Sequence, residues 1–145
     1  MLERLLFTLS EMDTAQGFFY HYYVITGDPH PSSYHDMPVF ENTQLWNSLN
    51  VLEGWLLDRN YQSNRMLNFI ERIKQKFFFA HSLKHVGKNE FMSLFVNADS
   101  GEPLNRPWTI ECDDTALSAI TGFTSDSIIF EEFEKLYSGL DHCPR

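Results

Sequence analysis

His81 and His85 are the residues of this chain whose spacing most directly suggests chemistry. On a helix, two histidines four residues apart place both imidazoles on one face, as in helical zinc and iron sites. The catalytic zinc motif also requires glutamate directly after the first histidine, and Ser82 stands at that position. The nearby Lys84 would repel a bound cation. We therefore keep His81 and His85 as weak metal candidates, and we predict no metal and no other cofactor.

A second group of reactive residue types lies in the segment HPSSYHD at 30–36, which contains serine, histidine and aspartate. Nucleophilic catalysis requires these groups to converge in space, and closeness in sequence does not provide that geometry. The sequence contains neither a G-x-S-x-G elbow nor a glycine-rich phosphate loop. Cys112 precedes two aspartates whose charges would disfavour its thiolate. We predict no catalytic residue, and the sequence favours a protein that is not an enzyme.

The basic residues are concentrated in one stretch, 59–88, which holds seven of the eleven lysines and arginines and one of the twenty acidic residues. Arg65, Arg72 and Lys76 fall on one flank of the helix predicted there and could contact the phosphates of a nucleic acid. The net charge of −9 argues against that use, because nucleic-acid-binding modules usually carry a basic balance. We favour an internal role, in which these cations pair with acidic segments packed around the helix.

The rest of the chain is strongly acidic, and an acidic surface attracts basic partners. Glu131, Glu132 and Glu134 form an acidic run on a predicted helix, although a solvated helix face is the usual fate of such a run. A proline-rich loop provides a second candidate surface. There Tyr34 and Met37 could anchor a partner, since aromatic residues and methionine are enriched at interfaces.

These observations lead to three functional hypotheses. The first is a small, acidic, soluble protein-binding module, such as an inhibitor, an immunity protein or an adaptor, that recognises a basic protein partner. The second is a helical metal-dependent enzyme that uses His81 and His85. The third is a nucleic-acid or nucleotide binder that uses Arg65, Arg72 and Lys76. We favour the first, because the chain is strongly acidic and lacks a complete catalytic motif. The sequence indicates neither the identity of the partner nor the oligomeric state.

The size and composition of the chain predict a single domain over 1–145. Its 145 residues are 43% hydrophobic and 15% aromatic, which is enough to build a core without a disulfide or a metal. The two cysteines, Cys112 and Cys143, lack zinc-ligand spacing and are expected as thiols. The sequence has no apolar run of membrane-spanning length, and Glu3 argues against a signal peptide. We predict a cytoplasmic protein that makes no contact with a membrane.

The spacing of apolar residues predicts the elements that position these side chains. Leucines at i, i+3, i+4 and i+7 predict a helix over 2–12, and similar stripes predict helices over 42–58 and 61–86. Helical spacing also continues through 15–25, although FFYHYYVI at 18–25 is equally rich in strand-forming residues. This segment is left open between helix and strand.

The overall prediction is a mainly α, compact domain of five or six helices, with room for one short β-hairpin around 90–112. The alternative is an α+β fold. Two of the helices are placed after residue 112, each behind a candidate capping residue. The apolar stripes predict burial of six side chains: Leu49, Leu52, Ile73, Phe77, Phe133 and Leu136.

Overall fold

A computed structural model of the chain describes residues 1–30, 36–59, 64–86, 89–93 and 95–104 and the single positions 121, 124, 125 and 131. Within these residues the chain forms three α-helices, one 3₁₀-helix and six short strands, and the strands pair in three two-stranded antiparallel sheets. In chain order the elements are α1 (Leu2–Glu11), β1 (Thr14–Ala15), β2 (Phe18–Phe19), β3 (Asp36–Pro38), α2 (Val39–Asp58), α3 (Asn64–Lys74), the 3₁₀-helix (Phe79–Ser82), β4 (Leu83–Val86), β5 (Asn89–Met92) and β6 (Phe95–Asn97).

The prediction of a mainly α domain with five or six helices is wrong. The described residues contain three α-helices, and two segments with helical apolar spacing, 15–25 and the second half of 61–86, contain strands instead. The helices predicted at 2–12 and 42–58 are present as α1 and α2 with shifted ends. Each departure has a physical cause.

α1 and α3 pack against each other and cover one face of the core. Leu6 of α1 is 2% exposed, and the ring of its neighbour Phe7 meets the ring of Phe69 of α3 edge to face, with 5.6 Å between centroids. Ile70 and Ile73 of α3 are fully buried. The apolar stripe predicted for this stretch therefore does face the core, as helical spacing requires.

The first departure from the predicted helices is the hairpin formed by β1 and β2. Ala15 pairs with Phe18 across a two-residue turn. Gln16 and Gly17 have φ angles of 54° and 83°, and a type I′ turn requires such positive values at both central positions. A side chain at position 17 would also collide with the neighbouring segment, because a Cβ atom there would lie 2.4 Å from the Cβ of Phe78. The turn therefore prevents a continuous helix, and Phe18 enters the core as part of a strand.

α2 is a helix of 20 residues that begins at Val39, directly after Pro38. Proline is compatible with the position before a helix because its backbone lacks an N–H that would need a partner. The buried side of α2 carries Trp46, Leu49 and Leu56 against the core. The rings of Phe77 and Phe79 meet the ring of Trp46 on this helix, and β2 also contacts it.

α3 ends at Lys74, whereas apolar spacing predicts a helix to residue 86. After Lys74 the chain tightens into a turn in which the N–H of Phe77 donates to the carbonyl of Lys74 at 3.2 Å. The next N–H, that of Phe78, donates to the carbonyl of Gly17 at 2.9 Å. The turn brings the rings of Phe77 and Phe79 into a parallel stack, 5.6 Å apart, in the core. Contacts with the β1–β2 turn therefore override the helical pattern.

The residues after the 3₁₀-helix form strands that the sequence predicts only in part. β4 pairs with β5, with Leu83 opposite Met92, and β6 pairs with β3, with Val96 opposite Met37. β5 and β6 begin the region of the predicted hairpin at 90–112, but each pairs with an earlier strand. The second half of that predicted hairpin lies outside the described residues.

The core predictions are confirmed for Leu49, Ile73 and Phe77, which are all buried. Leu52 is half-buried and packs against this core. The other two predicted core residues, Phe133 and Leu136, lie outside the described residues.

Candidate protein-binding surface

The arginines of α3 lie against acidic residues of α1. Arg65 Nη1 is 3.1 Å from Glu3 Oε1, and Arg72 Nη2 is 2.7 Å from Glu11 Oε1. Both pairs are open to solvent, so each contributes at most about 1 kcal/mol to stability. They nevertheless pair these cations with acidic residues of the same chain, as we predicted from the charge distribution.

Lys74 makes a more protected ion pair with α2. Its Nζ lies 2.8 Å from Glu53 Oε2, and the two side chains are 21% and 31% exposed. The ammonium group also lies 5.0 Å from the centroid of the Trp46 ring, within the range of a cation–π contact. These contacts connect α3 to α2 at the edge of the core.

Lys76 reaches the end of α1, where its Nζ donates to the carbonyl oxygen of Met12 at 2.6 Å and lies 5.7 Å from the centroid of the Phe19 ring. Burial lowers the pKa of Lys76, and the carboxylates of Glu11 and Asp13 partly oppose that effect. The flank that the nucleic-acid hypothesis requires is therefore engaged in internal contacts. A phosphate group would have to displace them.

A cleft of about 260 Å³ opens where the end of α1, the segment 19–23 and the first turns of α2 meet. We call it the aromatic cleft. Its walls are mostly apolar. The apolar wall consists of Leu9, Met12, Phe19, Tyr20, Tyr23, Pro38 and Leu45.

Asn42 of α2 fixes one wall of the aromatic cleft. Its Oδ1 accepts from the N–H of Phe19 at 2.7 Å, and its Nδ2 donates to the carbonyls of Phe19 and Pro38 at 3.0 and 2.6 Å. The side chain is buried, so these bonds are shielded from competition with water. The start of the segment 19–23 is therefore fixed to the first turn of α2.

Tyr23 fixes the opposite end of that segment. Its hydroxyl group donates to the carbonyl of Asp13 at 2.6 Å and accepts from the N–H of Tyr20 at 3.0 Å. The rings of Tyr20 and Tyr23 meet edge to face at 6.1 Å. Burial is the main cause that raises the pKa of Tyr23 above its ordinary value, so the phenol stays neutral. The aromatic wall is thus held in place before any ligand arrives.

The rim of the aromatic cleft carries two polar side chains, His21 and Glu41. His21 Nε2 lies 3.9 Å from Glu41 Oε1, and the side chains are 36% and 53% exposed. The imidazole also stacks on the ring of Tyr22, with 4.1 Å between centroids. The distance between the pair exceeds a hydrogen bond, so the carboxylate of Glu41 keeps acceptor capacity for a ligand.

A second cleft, of about 270 Å³, shares Met12 with the aromatic cleft. We call it the acidic cleft because Glu11, Asp13 and Asp28 line it. Arg72 engages Glu11, as described above. The two clefts together place apolar rings and carboxylates side by side around the end of α1, a combination that is complementary to a basic protein surface.

The predicted partner-binding residues have different positions in the structure. Glu131 is exposed. Met37 is fully buried, where it forms part of the core, so it is not a surface anchor as the sequence suggested. The other three predicted residues, Tyr34, Glu132 and Glu134, lie outside the described residues.

Sequence reasoning missed the aromatic cleft. The available signal is YHYY at 20–23, in which every ring carries a polar group. That signal is ambiguous, because the same letters fit a helix or a strand. The contact that creates the cleft joins Phe19 to Asn42, which is 23 residues away in the chain.

The geometry on which the metal hypothesis depends is absent. His81 lies in the 3₁₀-helix and His85 lies in β4, so no α-helix places them on one face. His81 Nδ1 contacts the carbonyl of Gln16 at 2.8 Å, and its ring meets the ring of Phe78 edge to face. Among the side chains that the structure describes, no group of three or more histidine, cysteine, aspartate or glutamate residues could hold a metal ion.

Comparison of the chain with protein families, with curated proteins and with solved structures finds no significant match. Among the described helices, none combines the length and the apolar character needed to cross a membrane.

Proposed function

We propose that this protein is a small acidic binding module, such as an inhibitor, an immunity protein or an adaptor, whose partner is a basic protein. The distribution of charge carries the proposal. The two arginines and the lysine of α3, and Lys76 after it, contact internal partners, while the whole chain carries a net charge of −9. Each internal ion pair removes one positive and one negative charge, so the excess of carboxylates remains available to attract a cationic surface.

The shape of the aromatic cleft supports binding over catalysis. Protein-binding surfaces combine an apolar centre with a polar rim, and this cleft has both. A histidine that acts as a general base is usually oriented by a hydrogen bond that its ring N–H donates to a carboxylate. The 3.9 Å separation of His21 and Glu41 is too long for that bond, and both side chains are open to solvent.

Two further surfaces belong to the proposal on sequence grounds. One is the acidic face formed by Glu131, Glu132 and Glu134, of which Glu131 is exposed. The other is the loop that carries Tyr34. Met37 is no longer a candidate anchor, because its side chain lies in the core.

The proposal is tested by capturing the partner from an extract of the native host and measuring association with the purified pair. We expect a basic protein whose association slows as salt rises, because exposed charges are screened over about 8–10 Å at ordinary ionic strength. A variant that combines Glu131→Lys, Glu132→Lys and Glu134→Lys should slow association about tenfold, since rim charges mainly set the encounter rate. Its thermal unfolding should match that of the native protein.

A Tyr34→Ala variant separates the acidic face from the loop. If association is indifferent to salt and to the charge reversals but is lost in Tyr34→Ala, the loop is the binding surface and the electrostatic proposal fails. Capture of a nucleic acid in place of a protein would favour the flank of Arg65, Arg72 and Lys76. Either result would contradict the function proposed here.

A further inference from the structure

We infer that the aromatic cleft receives an arginine side chain of the partner, with its guanidinium group at the carboxylate of Glu41 and its plane against the rings of Tyr20 and Tyr23. This inference rests on the proposed function, because it names the chemical group through which a basic partner would be recognised. Shape, rigidity and charge each support it.

The size of the cleft fits one side chain. Pockets for drug-sized molecules and cofactors usually span about 300–1,000 Å³, and the aromatic cleft lies just below that range at about 260 Å³. Its apolar wall, which includes Leu9 and Leu45, suits the aliphatic stem of a long side chain. Only the head of such a side chain would need a polar partner at the rim.

The rings of the cleft favour a planar cation. Tyr20 and Tyr23 stand almost perpendicular to each other, at 87°, so a guanidinium plane that stacks on one ring is perpendicular to the other ring. Guanidinium is planar and weakly hydrated, and it stacks on aromatic faces more readily than an ammonium group does. The hydrogen bonds of Tyr23 and Asn42 already fix the wall, so binding would cost little ordering of the protein.

The charges around the cleft favour a cation at Glu41 and disfavour one at Phe19. Glu41 stands at the rim with its carboxylate half-exposed, and a carboxylate can accept two parallel bonds from guanidinium. Asp13 adds negative charge in the neighbouring acidic cleft, which shares Met12 with the aromatic cleft. Lys76 opposes a second cation near Phe19, because its ammonium group already lies over that ring. The side of the cleft at Glu41 is therefore more suitable for a guanidinium group than the side at Phe19.

The test uses full-length, isotopically labelled protein and a blocked peptide, Gly-Gly-Arg-Gly-Gly, titrated by NMR. The control peptide carries citrulline, a neutral isostere of arginine. We expect saturable shifts of the backbone amides of 19–23 and Glu41 with the arginine peptide, and affinity lower by about threefold with citrulline, the size of one exposed charge contact. Glu41→Gln should abolish the preference for arginine, whereas the matched variant Glu102→Gln, which changes an exposed carboxylate beyond β6, should retain it.

Two results would overturn the inference. One is equal affinity of the native protein for the arginine and citrulline peptides, and the other is an unchanged preference in Glu41→Gln. Its failure is distinguishable from failure of the proposed function. If a basic partner is captured and its salt-dependent association is the same with Glu41→Gln, the proposed function stands and the aromatic cleft is not the arginine site. If the arginine peptide binds as expected but no basic partner exists, the cleft remains an arginine site and the proposed function falls.

Discussion

Two aromatic stretches of the chain differ in composition and in where their rings lie. The first stretch is FFYHYY at 18–23, and the second stretch is FFF at 77–79. They meet in the core, where the ring of Phe18 contacts that of Phe79 at 5.6 Å. In the second stretch the rings of Phe77 and Phe79 are buried, and Phe78 is exposed. Only the first two rings of the first stretch are buried, and Tyr20 and Tyr23 line the aromatic cleft.

The hydroxyl group explains this difference. A buried phenylalanine needs no polar partner, so Phe77 and Phe79 can stack inside the core. A tyrosine hydroxyl must keep a hydrogen-bond partner, and Tyr23 finds one in the carbonyl of Asp13 at the boundary of the fold. Phenylalanine therefore contributes to the core and tyrosine to a surface cleft with fixed walls.

The largest loss of stability should come from a substitution in the second stretch. We expect Phe77→Ala to lower the free energy of unfolding by about 3–5 kcal/mol, because it leaves a cavity between Trp46, Phe19 and Phe79. Denaturant unfolding followed by tryptophan fluorescence measures this loss. Phe78→Ala is the matched control, since that ring is 45% exposed, and it should cost about 1 kcal/mol or less. Equal losses in the two variants would mean that the rings of Phe77 and Phe78 do not differ in burial as described.

The helices that face the core could be predicted from the sequence, whereas the end of α3 and the aromatic cleft could not. Apolar spacing identified α1, α2 and the buried face of α3, because each pattern is local. It failed at the end of α3, where the N–H of Phe78 bonds to Gly17, 61 positions earlier in the chain. Charge counting predicted the internal pairing of the basic helix. The aromatic cleft depends on a contact between distant residues, Asn42 and Phe19, that no local pattern encodes.

The next largest loss of stability is expected at Asn42, which fixes the first stretch to α2. Asn42→Ala removes three hydrogen bonds, including the one that the buried Asn42 side chain accepts from the N–H of Phe19. We expect a loss of about 2–3 kcal/mol, since an unsatisfied buried group costs about 1–3 kcal/mol and the site can relax partly. Hydrogen exchange at the Phe19 amide should accelerate with it. Asn68→Ala changes an exposed asparagine of α3 and should stay within about 0.5 kcal/mol.

A smaller effect, with a distinctive pH dependence, is expected at Tyr23. Tyr23→Phe removes the bond to Asp13 and the acceptor for the Tyr20 N–H, for a loss of about 1–1.5 kcal/mol at pH 8. The folded state raises the pKa of Tyr23, so its contribution is present below the ordinary value of about 10 and is lost as pH rises above it.

The measurement is the difference in unfolding free energy between native protein and Tyr23→Phe from pH 8 to pH 11. That difference should shrink above pH 10, because the unfolded native chain then loses the phenol proton while the folded chain retains it. Other groups titrate in both proteins and cancel in the difference. A difference that stays constant or grows over this range would mean that Tyr23 ionises as freely in the folded protein as in the unfolded chain.

The smallest changes in stability are expected at two carboxylates of α2, Glu53 and Glu41. Glu53 lies in a protected pair with Lys74, next to the core of the second stretch, so Glu53→Gln should cost about 0.5–1 kcal/mol. Glu41 stands at the open rim beside the first stretch, so Glu41→Gln should change stability by no more than about 0.3 kcal/mol. Thermal unfolding of the two variants under identical buffer conditions compares them. If Glu41→Gln destabilises as much as Glu53→Gln, then Glu41 serves the fold. If it does not, the carboxylate is free to serve recognition, and its effect should appear in binding.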